Sequence, residues 1–109
     1  MATQTLRIFG QNKPDAGIST NLFTVTGLNQ VQTSIFIANQ GLDYDRFFVA
    51  LIPASTSEQP ENFIAYNTPL SGGGVLAFSG IYLNSGDSVW VKSELGTVSF
   101  TATGVDFGP

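Results

Sequence analysis

Residues 81–103 constrain the fold most, because they form three short runs of alternating apolar and polar residues separated by two turns. The turns lie at residues 84–87 and 94–97, and the runs are rich in the β-branched and aromatic residues typical of strands. Side chains on a strand point alternately to opposite faces, so Val89 and Val91 share one face. We therefore expect three adjacent antiparallel strands, a β-meander, with one face in the core and one face in water.

The same alternation assigns faces in the rest of this stretch. Val98, Phe100 and Ala102 share the core face of the last run. Trp90 and Lys92 point to the outer face of the run before it. An aromatic residue on an outer face often marks a contact surface. Packing of Trp90 under a loop or against a second sheet is an equally open alternative.

The remainder of the chain also predicts strands. Residues 46–52 (RFFVALI) are the most hydrophobic run, and Pro53 ends it because proline cannot donate a hydrogen bond to a strand ladder. Residues 54–62 are polar, contain Pro60 and form the longest expected loop. Apolar residues never recur at helical spacing for more than one turn, so we expect no longer helix.

The number of strand signals sets the fold class. Between about seven and nine short strands predict an all-β fold, a single-domain antiparallel β-sandwich, with jelly-roll-like and immunoglobulin-like strand orders both open. We expect residues 1–17 to supply an N-terminal arm and the first strand, and residues 18–109 to form the sandwich of the same domain. A chain of 109 residues is long enough for one such core.

Charge is scarce in this sequence. Charged residues make up 11% of the chain, against about a quarter in average proteins, and the net charge is −4. The 4 basic residues are scattered, so the concentrated positive patch that binds nucleic acid or an anionic membrane is missing. The start of the chain lacks the basic and apolar regions of a secretion signal. We expect a soluble protein that is made without an export signal.

The residue inventory argues against catalysis. The chain has no histidine and no cysteine, which removes most nucleophilic, acid–base and zinc-dependent designs. Asp43 and Asp45 share a strand face and could bind a hard cation, but calcium needs about six to eight oxygens. We expect both to flank a turn and keep a strand end solvated, and Asp87 to cap amides of its own turn. The expectation is therefore no enzyme, no catalytic residue, no cofactor and no metal.

Three large apolar residues lie opposite the predicted core faces. They are Phe48, Ile52 and Trp90. A monomer seldom leaves large contiguous apolar patches in water, so we expect another protein chain to cover some of them. These three residues are the candidate partner contacts, and we expect a homo-oligomer.

Six segments of the chain carry a family resemblance. They are NLFTV (21–25), IFIANQG (35–41), FFVALIP (47–53), YNTPL (66–70), LNSGDSVWVKS (83–93) and VSFTATG (98–104). Together they resemble a family of small virion proteins of tailed bacteriophages, and the similarity runs from about residue 18 onward.

The resemblance implies a β-sandwich building block of a phage particle with no catalytic residues, made in the host cytoplasm and located in the virion. We expect a capsid cement or decoration protein that binds between major capsid subunits, with the major capsid protein or other virion proteins as partners. A tail, baseplate or fibre component is the alternative within the same class. A carbohydrate-binding β-sandwich is the alternative from another class, in which Trp90 with Tyr82 or Tyr44 would stack on sugar rings.

Overall fold

The computed structural model describes residues 4–27 and 29–108. Within these residues the chain forms a short 3₁₀ helix at Pro60–Asn62 and eight strands. The strands are β1 (Thr5–Asn12), β2 (Thr20–Thr24), β3 (Val31–Asn39), β4 (Asp45–Ile52), β5 (Phe63–Leu70), β6 (Val75–Leu83), β7 (Ser88–Ser93) and β8 (Val98–Asp106). The described residues include no helix long and apolar enough to span a membrane.

The strands form two four-stranded antiparallel sheets that pack face to face. The first sheet has the order β1-β8-β3-β6, and the second sheet has the order β2-β7-β4-β5. Successive strands alternate between the sheets, except that β4 and β5 are neighbours in the second sheet. This is the strand order of an eight-stranded jelly roll. The prediction of an all-β antiparallel sandwich is confirmed, and the order that the sequence left open is the jelly-roll one.

The prediction of a β-meander in residues 81–103 is wrong. β6 and β8 belong to the first sheet and β7 belongs to the second, so each of the two turns crosses from one sheet to the other. Alternation of apolar residues shows which face of a strand is buried, but not which strand lies beside it. A four-residue connection can also span the ~10 Å between packed sheets, so both arrangements fit the sequence.

The core lies between the two sheets and confirms the predicted core faces. The ring of Phe100 in the first sheet packs edge-on against Phe47 in the second, with 6.3 Å between the ring centroids. Apolar burial of this kind stabilises the sandwich by about 25 cal/mol per Å² removed from water. The residues assigned to the core face in the stretch 81–103 are all buried: Val89, Val91, Val98, Phe100 and Ala102.

The strands β1 and β2 meet and close one side of the sandwich. β1 begins at Thr5 and pairs with β8 along its length, while residues 1–3 of the predicted arm lie outside the described residues. At Gly10 the chain approaches β2 so closely that a Cβ atom there would overlap a β2 carbonyl oxygen. Next to it the ring of Phe9 stacks on Phe23, with centroids 5.1 Å apart. On the opposite side of the sandwich the edge strands are β5 and β6, which belong to different sheets and are not paired with each other.

We expect Phe47→Ala to destabilise the fold far more than Phe36→Ala. Phe47 is 0% exposed and Phe36 is 51% exposed. Truncating the buried ring should lower the free energy of unfolding by about 3–5 kcal/mol, whereas the matched control should cost less than about 1 kcal/mol. Urea unfolding followed by Trp90 fluorescence measures both values. Equal losses would contradict this assignment of inner and outer faces.

Candidate functional site

The predicted contact residues Phe48 and Ile52 point away from the core, but they are not open to solvent. Phe48 is 9% exposed and Ile52 is 6% exposed. The Phe48 ring packs edge-on against Phe63 and Tyr66 of β5, with centroids 6.3 and 5.0 Å away, and Lys92 Nζ lies 4.3 Å from its centroid. The premise that these two residues need another chain to cover them is therefore corrected, because neighbours in the same chain cover them.

The loop between β4 and β5 supplies part of this cover. Its residues 56–58 line a shallow cavity beside Trp90, and Glu58 accepts a hydrogen bond from the Ser19 hydroxyl at 3.4 Å. Ser19 precedes β2, which is the edge of the second sheet opposite β5, so the loop reaches across the sheet. Trp90 is half-buried there, and its Nε1 donates to the Ser88 hydroxyl at 3.1 Å. Packing of Trp90 beside a loop is thus observed, and its contact with a partner stays a prediction.

The surface that does lie open is the outer face of the first sheet, on the other side of the sandwich. Thr101 lies near its middle, paired with Phe36 of β3, and accepts a hydrogen bond from Gln11 of β1 at 3.4 Å. Ser, Thr and Gln fill most of the positions between the apolar ones. We call this surface the bare face. Five of its large apolar side chains are more than half exposed: Leu6, Ile8, Phe36, Val75 and Tyr82.

The bare face carries no charge. The four strands of the first sheet contain only two charged residues, Arg7 and Asp106, and both alternate with bare-face positions. Arg7 Nη1 lies 2.8 Å from an Asp106 oxygen. The hydrogen bond from the Gly108 amide holds the pKa of Asp106 below its ordinary value, burial opposes this shift, and Arg7 and Asn29 add to it. The charges of this sheet are therefore paired with each other and leave its outer surface neutral.

Asp45, the first residue of β4, is a buried carboxylate that organises the turn between β7 and β8. It is 1% exposed. The backbone amides of Arg46, Leu95 and Thr97 and the hydroxyls of Ser93 and Thr97 lie 2.6–3.1 Å from its two oxygens. Burial alone would raise the pKa of Asp45, but the hydrogen bonds from Ser93, Leu95 and Thr97 outweigh it and hold the pKa below its ordinary value. The expectation that Asp45 keeps a strand end solvated is wrong.

Asn39 extends this network to the end of β3. Its side-chain amide donates to the carbonyls of Asp43 and Leu70 at 2.9 and 2.8 Å. Its side-chain oxygen accepts from the Gly41 amide at 2.9 Å and lies 2.8 Å from the Thr97 hydroxyl. Asn39 and Thr97 were not predicted from the sequence, since a polar residue at a strand end looks the same whether it faces water or a buried network.

Asp43 and Asp45 do not form a paired carboxylate site. Asp43 is exposed, and both oxygens of Asp45 already accept hydrogen bonds from the protein. Across residues 4–27 and 29–108, no three acidic, histidine or cysteine side chains cluster as a metal site requires. A cation would have to displace the hydrogen bonds that hold the β7–β8 turn.

Two further expectations have clear outcomes. The sugar-stacking group of the carbohydrate-binding alternative is not assembled, because Tyr82 lies on the bare face and Trp90 lies on the outer face of the second sheet. Tyr44 lines a groove with Arg46 and Pro69, and Trp90 lines a different one. Asp87 accepts a hydrogen bond from the Asn84 amide at 2.9 Å, which confirms its predicted role as a cap of its turn.

No protein-family model matches the chain, and no curated protein matches it. The resemblance to phage virion proteins therefore stays a prediction. The function has to be argued from the surfaces that the chain itself exposes.

We expect Asp45→Asn to lower the free energy of unfolding by about 3 kcal/mol or more. The substitution keeps the shape, but it removes the charge and turns two hydrogen-bond donors toward groups that already donate. Asp43→Asn is the matched control, since Asp43 is exposed, and should cost no more than about 0.5 kcal/mol. Chemical denaturation of the two variants beside the wild type measures the difference. Similar values for both would show that the buried network contributes little.

The pH dependence of the stability separates the effect of the Asp45 charge from the other effects of the substitution. Because the pKa of Asp45 in the folded state lies below its ordinary value of 3.8, its stabilising effect is present above that value and is lost as the pH falls through the lower folded-state pKa. The stability gap between the wild type and Asp45→Asn should therefore shrink at acid pH. A gap that stays constant from neutral pH down to about pH 2 would contradict the assignment.

Proposed function

We propose that this protein is a non-enzymatic structural component of a tailed-phage virion, a cement or decoration protein that binds between major capsid subunits through the bare face. The observation that carries the proposal is the bare face itself, which exposes five large apolar side chains without a charge. Exposed apolar patches of this kind on soluble domains often mark sites of protein contact.

The chemistry of the bare face suits a protein partner. Transfer of a charged group into an interface costs desolvation energy, so charged residues are depleted at interface centres. Hydroxyl and amide groups such as those of Thr101 and Gln11 can instead exchange hydrogen bonds with water for hydrogen bonds with a neighbour. Burial of Leu6 and Phe36 between them would supply apolar stabilisation.

The two outer faces of the sandwich are unequal, which supports one-sided attachment. The outer face of the second sheet is partly covered by the chain's own loop, whereas the bare face has no such cover. The sequence resemblance supplies the virion as the setting and the major capsid protein as the partner. A tail, baseplate or fibre protein would use the same contact chemistry, so the neighbour found in the particle separates these alternatives.

We expect Thr101→Glu to detach the protein from particles while leaving it folded. Thr101 lies half-exposed near the middle of the bare face, and an unpaired carboxylate buried there should reduce occupancy by at least about tenfold. Occupancy is measured by quantitative mass spectrometry of purified particles, and folding by the melting temperature of the isolated variant.

Trp90→Ala provides the comparison on the opposite face. If the bare face alone makes the contact, Trp90→Ala should leave occupancy close to that of the wild type, because Trp90 belongs to the face that the loop partly covers; the partner contact predicted for Trp90 from the sequence would instead lower occupancy. Loss of occupancy with Trp90→Ala but not with Thr101→Glu would move the contact to the second sheet. Absence of the wild-type chain from particles would overturn the virion proposal.

Glycan binding is a second candidate, and one groove on the second sheet favours it. Phe48, Phe63 and Tyr66 pack edge-on against each other, with both centroid distances to Tyr66 at 5.0 Å. Tyr66 is 68% exposed, and Pro60 and Lys92 line the same groove. Exposed aromatic rings beside a few polar groups are typical of small-ligand sites.

Tyr66→Ala tests this candidate. If the groove binds a sugar ring, the substitution should abolish the signal on a glycan array while the chain stays folded, since Tyr66 is 68% exposed and loses only its edge contacts with Phe48 and Phe63. Tyr82→Ala, which removes an exposed tyrosine from the bare face, is the matched control and should leave the signal unchanged. A wild-type chain that binds no glycan on the array rules out glycan binding.

A further inference from the structure

The four edge strands of the two sheets differ in how well they are protected. A free edge strand offers unpaired backbone groups to other strands, and bulges, prolines and short length are common protections. The edge of β1 has a register shift between Ile8 and Gly10, and β2 is five residues long with a shift of its own. The edge of β5 carries Pro69, two register shifts and Asn67 in the left-handed region at φ 52°.

The first half of β6 lacks these protections. Val75–Phe78 pairs in regular register with Ala38–Ile35 of β3, and the shift comes only after Phe78, next to Gly80 at φ 73°. The segment reads Val-Leu-Ala-Phe, without proline or charge, and Val75 is 76% exposed. It is an apolar, regular and uncovered edge.

The hydrogen-bond pattern between β3 and β6 shows which backbone groups of β6 are free to pair with another strand. The Asn39 amide donates to the Gly74 carbonyl at 2.9 Å. Hydrogen-bonded and non-hydrogen-bonded pairs alternate along an antiparallel ladder. Leu76 therefore directs its backbone groups toward β3, and Val75 and Ala77 direct theirs toward the open edge.

The distribution of charge around β6 indicates which kind of partner could pair with this edge. Residues 62–86, which include all of β5 and β6, contain no charged residue in a chain of net charge −4. Because β1 and β2 meet on the other side of the sandwich, β5 and β6 share the opposite side, where Arg46 Nη1 lies 3.5 Å from the Asn67 carbonyl and the backbone of the exposed Asp43 lies beside Gly72. A second copy of the chain would be repelled at its acidic surfaces, but β6 itself presents no charge to it.

We propose that two copies of the chain associate through β6, which pairs antiparallel with β6 of the second copy around Ala77. The first sheets of the two copies then form one continuous eight-stranded sheet. Pairing around Ala77 aligns Val75–Ser79 of the two copies, which is about 17 Å of strand, and the molecule is 20 Å thick, so the contact buries about 340 Å² on each copy. The total of about 700 Å² lies below the ~1,200 Å² of standard specific interfaces, so the dimer is weak and concentration-dependent.

Paired charge variants at Ala77 test this arrangement. Ala77 is exposed, so Ala77→Glu and Ala77→Lys should both fold. In the proposed dimer each introduced charge lies opposite its own copy, so each variant alone should dimerise at least about fivefold more weakly than the wild type. A 1:1 mixture places Glu opposite Lys and should restore association. Sedimentation velocity over about 10 μM to 1 mM measures all four samples.

Leu6→Glu is the matched control at the other edge of the same sheet, since Leu6 is 83% exposed on β1. It should leave the dimer unchanged. Hydrogen exchange gives a second readout: the amides of Val75 and Ala77 should become protected as concentration rises, while the Leu76 amide, already bonded to β3, should not change.

Several results would overturn the inference. They are a wild-type chain that stays monomeric at about 1 mM, Ala77 variants that associate like the wild type, a mixture that fails to restore association, and an equal loss with Leu6→Glu. The inference concerns the isolated chain and does not rest on the proposed role in a virion. A dimer without particle binding, or particle binding without a dimer, would separate the two proposals.

Discussion

The buried carboxylate of Asp45 is the interaction on which one end of the sandwich depends. It begins β4 in the second sheet, yet its hydrogen-bond donors include Thr97, which leads into β8 of the first sheet. Asn39 at the end of β3 joins the same group through Thr97 and reaches the β5 end through the Leu70 carbonyl. A buried charge without partners would cost several kcal/mol. Because its partners come from turns, the carboxylate fixes how the chain crosses between the sheets.

Turns that lead from one sheet to the other distinguish this fold from a β-meander. Each crossing leaves backbone groups that no strand ladder can pair, and buried backbone groups require partners. The β7–β8 turn finds them in the oxygens of Asp45 and Ser93, and the β6–β7 turn finds one in Asp87. The side chains that cap the turns are therefore part of the reason why consecutive strands can belong to different sheets.

The sequence predicted the β-class, the core faces and the turn positions because each depends on local information. Alternation in residues 88–93 and 98–102 is visible in the sequence and is confirmed by burial. Strand partners depend instead on contacts between distant residues, such as β1 with β8, which no local pattern specifies. The role of Asp45 was missed for the same reason, since its partners at residues 93–97 lie far away along the chain.

The expectation that Phe48 and Ile52 need another chain to cover them failed through a related limit. An outer-face position such as Phe48 or Ile52 looks exposed in a strand pattern, but the sequence does not show where the loop of residues 53–62 and the β5 aromatic residues will lie. Conversely, Leu6 and Val75 were assigned to no surface, because the bare face is formed by strands from both ends and the middle of the chain. An outer face becomes a defined surface only once the strand order is known.

The bare face and the β6 edge are compatible with each other geometrically. Antiparallel pairing of β6 with its copy relates the two molecules by a two-fold axis perpendicular to the sheet, so both bare faces lie on the same side. Each face is then a continuation of the other across Val75 and Ala77, without a charge between them. If each copy binds the same kind of neighbour weakly, the second contact becomes intramolecular once the first has formed. A weak edge contact and a weak face contact would thus reinforce each other on an ordered surface, although neither alone would give a stable complex in dilute solution.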